Sequence, residues 1–161
     1  MNATDILKYG QQTVIQTING FPEAEWETAG ACGFWSVKDI IAHLASYEQV
    51  LVDVLTSFTS GGPTPALDSF IKLGRQFNDV EVNRRKEKRI RDVLAEFNDA
   101  YRQVMSLIVT IPSETLRQNG TLPWYGMEYA LDDFIVYTYY GHKREHSAQI
   151  AAFRDYKEKY K

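Results

Sequence analysis

Residues 36–58 read SVKDIIAHLASYEQVLVDVLTSF, and this stretch decides the fold class. Ile40, His43, Leu44, Tyr47, Leu51, Val54, Leu55 and Phe58 recur at intervals of three and four, the spacing that lines up side chains on one stripe of an α-helix. Ser36 stands ahead of the stripe with Asp39 three residues on, a near capping box in which Asp replaces Glu. Trp35, directly before the cap, is placed to staple onto the first turn near Ile40. Gly61, Gly62, Pro63 and Pro65 end the run. Val50 and Val52 are β-branched but fall within the helical period, so they do not signal a strand.

Outward from this helix, the five prolines separate long proline-free segments, which matters because proline costs a helix interior about 3 kcal/mol. The spacing predicts a first helix from Thr4, read as its N-cap, to Gly20, with Leu7, Val14 and Ile18 on one face. A third runs from Arg89 to Ile111 on Ile90, Leu94, Phe97, Tyr101, Val104 and Ile108. A fourth runs from Glu128 to near the C-terminus on Leu131, Ile135, Thr138, His142, His146, Gln149 and Phe153. Between the second and third, one short extra helix is expected around Gln76 to Arg85, and Asn119-Gly120 and Pro123-Trp124 mark a turn-rich loop before the fourth. No internal repeat or strand pair is visible. The expected fold is all-α, a four-helix bundle forming a single domain over residues 1–161.

Composition excludes several alternatives. With 161 residues, 44% hydrophobic and 24% charged, the chain is of globular type and large enough to bury a core without a staple. One cysteine, Cys32, rules out an internal disulfide. A net charge of −3 gives no overall bias toward nucleic acid or membrane. The run Arg84-Arg85-Lys86-Glu87-Lys88-Arg89-Ile90-Arg91 is basic, but no aromatic interleaves it, and it reads as a solvated helix junction rather than a nucleic-acid patch. Residues 1–10 lack the apolar core of a secretory signal, and no stretch approaches eighteen consecutive apolar residues. A soluble, cytoplasmic protein is expected.

All three histidines fall on inward faces. His142 and His146 are four apart, about 40° in azimuth and ~6 Å along a helix axis. Imidazoles on adjacent turns can converge on one cation at roughly 2.0–2.1 Å. His43 lies on the inward stripe of the second helix. The pattern alone admits both a metal site and core histidines satisfied by carbonyls. Gly141, next to His142, reads as a point of close approach for a helix or ligand, or as a tolerated small residue.

The segment from Trp35 to Leu44, WSVKDIIAHL, closely resembles the helix-two signature of the DinB/YfiT-like superfamily. Residues 141–150, GHKREHSAQI, resemble its helix-four motif, HxxxH followed by a Gln-hydrophobic pair. The resemblance implies a metal-binding four-helix bundle in which His43, His142 and His146 hold a divalent ion, zinc or nickel. It also implies, from a bundle family that includes dimers, a homodimer, for which Val52, Ile71 and Val109 are spare apolar positions. Helix three and the Leu122-Pro123-Trp124-Tyr125 loop are loosely similar to the ClbS/DfsB-type branch, whose hydrolase activity does not transfer.

Three neutral nitrogen ligands leave an open coordination position, the arrangement of catalytic rather than closed structural sites. The family implies hydrolases and transferases that use a low-molecular-weight thiol cosubstrate. Either would act on a small electrophilic substrate in a mouth lined by Tyr47, Trp124, Tyr125 and Tyr139. Tyr47 and Glu48 are the candidate catalytic acid–base residues, Glu48 and Glu145 being alternatively partners of an imidazole or surface acids. Cys32, near the start of helix two, reads as an inert packed thiol more readily than a nucleophile. The competing functional class is a small-ligand-binding bundle with a structural or vestigial metal.

Overall fold

The computed structural model describes residues 2–161, and they form an all-helical fold. The only extended pairing among the described residues is an isolated bridge between Cys32 and Trp35. Helix α1 spans Ala3–Asn19. Its cap is Asn2 rather than Thr4: the Asp5 amide donates to Asn2 Oδ1 at 2.9 Å, and Thr4 lies already inside the first turn.

Helix α2 spans Val37–Ser57 and carries the expected reciprocal box. The Asp39 amide donates to Ser36 Oγ at 3.1 Å, and the Ser36 amide donates to Asp39 Oδ2 at 3.0 Å. Two short helices, not one, follow: α3 at Pro65–Leu73 and α4 at Phe77–Arg84, joined by a 3₁₀ turn. Helix α3 has no local cap. Its first amides, on Ala66 and Leu67, donate to Asp53 Oδ2 of α2 at 2.6 and 3.0 Å, so a residue 13 positions away satisfies the helix start.

Helix α5 spans Ile90–Ile108, and a single turn α6 spans Ser113–Leu116. The last helical run begins at Leu131 rather than Glu128, because the Ala130 amide is capped by Asp133 Oδ2 at 2.8 Å. It comprises α7 at Leu131–Phe134, a π-helical segment at Ile135–Gly141, and α8 at His142–Lys159. The wider π turn shifts the inward face by one residue. Tyr139, not Thr138, is buried, at 1% exposure.

Helix α2 packs on α5, and α1 packs on α8 and the π segment, while α1–α5 and α2–α8 contacts close the circuit. The enclosed apolar core is in two parts. One is built around Leu51, Leu55, Phe77, Val104, Phe134 and Tyr139. The other is built around Val14, Ile40, Leu44, Phe97 and Ile150. Along α1, α2, α5 and α8 the residues between these clusters are polar: Gln11, His43, Ser46, Glu48, Asn98, Lys143, His146 and Ser147. A polar layer thus crosses the molecule at mid-height.

The basic run is solvated as expected at Arg84, Lys86, Lys88, Arg89 and Arg91, and Arg85 is the exception. Arg85 is 4% exposed and donates to Glu81 and Glu96, both at 2.7 Å, while Lys86 pairs with Asp39 at 3.0 Å. These pairs fasten α4 to the starts of α2 and α5. Val52, read as spare, packs against the cluster around Leu51 and Leu55, whereas Ile71 and Val109 are 49% and 68% exposed. Among the described residues no helix is long and apolar enough to cross a membrane.

Of the two readings of Gly141, the tolerated small residue is the one the geometry supports, and the close approach occurs at Gly10. A Cβ on Gly10 would lie 3.2 Å from the Tyr139 carbonyl oxygen and 3.4 Å from Lys143 Cδ, whereas one on Gly141 would meet only the Val136 oxygen at 3.6 Å. Gly141 has ordinary helical dihedrals, φ −59° and ψ −47°. Gly141→Ala should therefore raise unfolding free energy by about 0.5–1 kcal/mol, and Gly10→Val should lower it by about 1–3 kcal/mol. Urea denaturation of the two variants measures both.

Candidate metal centre

The three histidines expected to meet do meet. One ring nitrogen from each of His43, His142 and His146 lies within 4.8 Å of the others. His142 Nε2 is 2.9 Å from His43 Nε2 and 2.9 Å from His146 Nε2. Helix α2 supplies the first ring, and two adjacent turns of α8, directly after the π segment, supply the others.

One proton position follows from an outer nitrogen. His146 Nδ1 is 2.8 Å from Gln149 Oε1, an acceptor, so Nδ1 carries the hydrogen and Nε2 turns a bare lone pair to His142. His43 Nδ1 is buried with no hydrogen-bond partner. Three facing ring nitrogens, with the His146 hydrogen held outward by Gln149, form a donor set that a divalent cation fits.

Burial holds the cluster neutral. His43 is lowered from 6.5 to about 2, first by desolvation and then by the neighbouring imidazoles His142 and His146. His142 is lowered to about 4, chiefly by desolvation, with His146 adding to it. His146 is lowered by desolvation and partly restored by Gln149. Neutral imidazole is the form that ligates.

The aromatic surround is only in part the expected one. Tyr47 touches the cluster, with its ring centroid 4.7 Å from His43 and 4.9 Å from His142. Burial raises its phenol, which donates to Asn78 Oδ1 at 3.2 Å, so Tyr47 offers a neutral hydrogen bond rather than a phenolate. Tyr139 is core: its hydroxyl donates to the Tyr47 carbonyl at 2.7 Å, tying the π segment to α2. Tyr125 packs on Tyr129 and Phe134, and Trp124 on Phe70 and Phe134. Trp35 does more than staple a helix, since its ring lies 4.9 Å from His43 and 6.5 Å from His146 and covers the cluster. Gln149 was visible as an inward residue three positions after His146, but its role as orienter of that ring required the geometry.

Glu48 does not join the ring cluster. It is 0% exposed and forms an ion pair with Lys143, which is 1% exposed. Neither Glu48 oxygen has an aligned hydrogen bond. Lys143 Nζ also reaches Gln11 Oε1 at 3.3 Å, whose amide donates to Asn98 Oδ1 at 3.1 Å, and it lies over the Phe97 and Tyr101 rings at 5.4 and 5.6 Å. A buried carboxylate that neutralises a buried ammonium is poorly placed to exchange protons with a substrate. Glu145 is exposed. Cys32 is half-buried against the cluster around Ile40 and Leu44.

An all-helical fold with a mid-height polar layer and a three-histidine cluster from its second and last long helices is compatible with a metal centre built inside a helical bundle. The chain belongs to the DinB superfamily, whose family model matches residues 6–150. No match was found among curated proteins or among solved structures.

Two outcomes follow from the site. Unfolded imidazoles titrate near 6.5, and the folded ones lower, so below 6.5 the unfolded chain takes up protons that the folded chain refuses. The stability of metal-free protein should be intact above that pH and decline as pH falls toward about 4. Melting curves at about pH 7 and about pH 5 should show a smaller decline in His43→Gln/His142→Gln. Separately, Lys143→Met should cost about 3–5 kcal/mol by stranding Glu48, and Lys143→Met/Glu48→Met should recover most of it in urea titrations.

Proposed function

We propose that the chain is a divalent-metal-dependent enzyme acting on a small electrophilic substrate, with His43, His142 and His146 as the ligands on a four-helix-bundle scaffold. The single observation that carries this reading is the convergence of one ring nitrogen from each of His43, His142 and His146, the first and last buried and His142 half-buried, with the His146 hydrogen committed to Gln149. When bound, a zinc or nickel ion with three neutral ligands supplies Lewis acidity at an open position, enough to polarise an electrophile or to acidify a nucleophile.

The chain's own residues do the rest. Gln149 fixes the orientation of the His146 ring. Trp35 excludes water from one side. Tyr47 sets a neutral phenol ring beside His43 and His142, and with its one hydroxyl hydrogen donated to Asn78 its oxygen can only accept from a substrate. Among the described residues no carboxylate joins the ring cluster, which favours a nucleophile acidified at the open position, water or a low-molecular-weight thiol, over one deprotonated by a protein base. Hydrolase and thiol transferase are thus the two reactions in view.

Protein purified without a histidine tag should carry about one equivalent of transition metal per chain by elemental analysis, falling below about a tenth in His142→Ala. Gln149→Leu should keep the fold and weaken metal affinity about 10–100-fold. Wild-type protein that takes up no metal on titration would remove the basis of this reading. Added low-molecular-weight thiols should accelerate consumption of a reactive electrophile if the transferase branch holds, and leave the rate unchanged if hydrolysis is the reaction.

A further inference from the structure

A cleft of about 420 Å³ opens beside the histidine cluster, and Tyr47 is the wall they share. One side of that ring packs on His43 and His142. It also packs on Phe70, at 5.6 Å, and its hydroxyl reaches Asn78, two residues that line the cleft. Phe70 in turn sets its edge against Trp124, at 6.1 Å and an interplanar angle of 82°. Three aromatic side chains and Ile71 therefore form the apolar walls.

A single charge lines this cleft, the guanidinium of Arg75. Gly74, with φ +52° and ψ −123°, ends α3 in a conformation that side-chain-bearing residues avoid and turns the chain so that Arg75 falls on the mouth. Most of the chain's arginines are spent on carboxylates: Arg84 and Arg85 on Glu81, Arg89 on Asp92, Arg102 on Asp99, Arg117 on Asp132 and Arg154 on Asp155. Arg75 has no carboxylate within ion-pair distance among the described residues. A planar, permanently charged fork left unpaired at the rim of an aromatic slot matches a planar anion, which it can hold through two parallel hydrogen bonds. The volume suits a molecule of about one ring with a short side chain.

We propose that this cleft binds the substrate's non-reacting portion, and that the substrate is a small aryl or similarly flat apolar carboxylate. Its carboxylate pairs with Arg75, its flat body lies among Phe70, Trp124 and Tyr47, and its far end is presented past Tyr47 to the histidines. This rests on the reading of the histidine cluster as the reacting centre. The binding step itself is independent of metal, so the two can fail separately.

The test uses full-length protein stripped of metal by chelation, titrated with 3-phenylpropionate, 3-phenylpropanol and 3-phenylpropylamine while tryptophan fluorescence is read. The carboxylate should bind about tenfold or more tighter than the alcohol, and the amine weakest. Arg75→Gln, at an exposed position, should abolish the preference for carboxylate over alcohol while leaving the alcohol's affinity unchanged, and Arg75→Lys should restore part of it. Trp124→Ala should weaken all three alike. Equal affinity for the three probes, no binding at millimolar concentration, or an unchanged preference in Arg75→Gln would each overturn the proposal. Carboxylate binding in His142→Ala, with metal lost, would show that the cleft stands while the centre has been removed. Metal uptake by a wild-type protein that ignores all three probes would leave the centre standing and the cleft refuted.

Discussion

The ion pair between Glu48 and Lys143 is the constraint around which the interior is arranged. Both side chains are essentially without solvent, and taking a lone charge of that size out of water costs several kcal/mol even after relaxation. Neither can be moved toward a surface without unpairing the other, so α2 and α8 are held in one axial register at this level. Gln11 and Asn98 extend the layer to α1 and α5, so each long helix contributes a residue to it. Apolar packing above and below tolerates sliding, since Leu, Ile and Val contacts are non-directional; a charge pair at mid-height does not. His43 is five residues before Glu48, and His142 is the residue before Lys143, so the same pairing that fixes register also sets the ring nitrogens against one another.

The π segment is the local counterpart of that constraint. It ends at Gly141, one residue before His142, and its wide turn carries Tyr139 inward to bond the Tyr47 carbonyl. Gly10 of α1 leaves the space into which this backbone presses. An α-helix through the same residues would have its inward stripe on Thr138, and the turn that now delivers His142 and Lys143 would be rotated. A π turn kept at such a place fits the general tendency of these insertions to mark functional positions.

How much of this was legible in the sequence depended on whether the controlling interaction was local. The Ser36–Asp39 box, the stripes of α2 and α5, and the i, i+4 spacing of His142 and His146 are short-range patterns, and each was readable. Helix α3 was missed because its cap is Asp53, remote in sequence, while Thr64 beside it makes no cap. Asn2 was passed over because Thr4 fits the same pattern and only geometry separates them. The one-residue delay at Tyr139 was invisible to any count that assumes 3.6 residues per turn. Glu48 was read as a candidate acid because sequence alone places a carboxylate by azimuth and assigns charges to water or to chemistry; a buried cation on another helix is a third possibility that no local pattern encodes. Arg85, buried in an otherwise solvated run, was not legible for the same reason.

The distribution of charge around the rings bears on what the centre can accept. Nothing in the cluster is anionic: all three donors are neutral imidazoles, Glu48 is consumed by Lys143, and Glu145 is turned to solvent. Lys143, next in the chain to His142, adds a field that further disfavours proton uptake there. On the proposed reading, a dication held by such ligands keeps its charge undiminished, unlike one held by carboxylates or thiolates, and its remaining position is selective for anionic or readily ionised groups. The unpaired Arg75 at the neighbouring mouth has the same sign. Centre and cleft are therefore electrostatically consistent: both disfavour a cationic substrate, and the aromatic walls between them disfavour a strongly hydrated one. The reacting partner that satisfies both is flat, mostly apolar and negatively charged at one end.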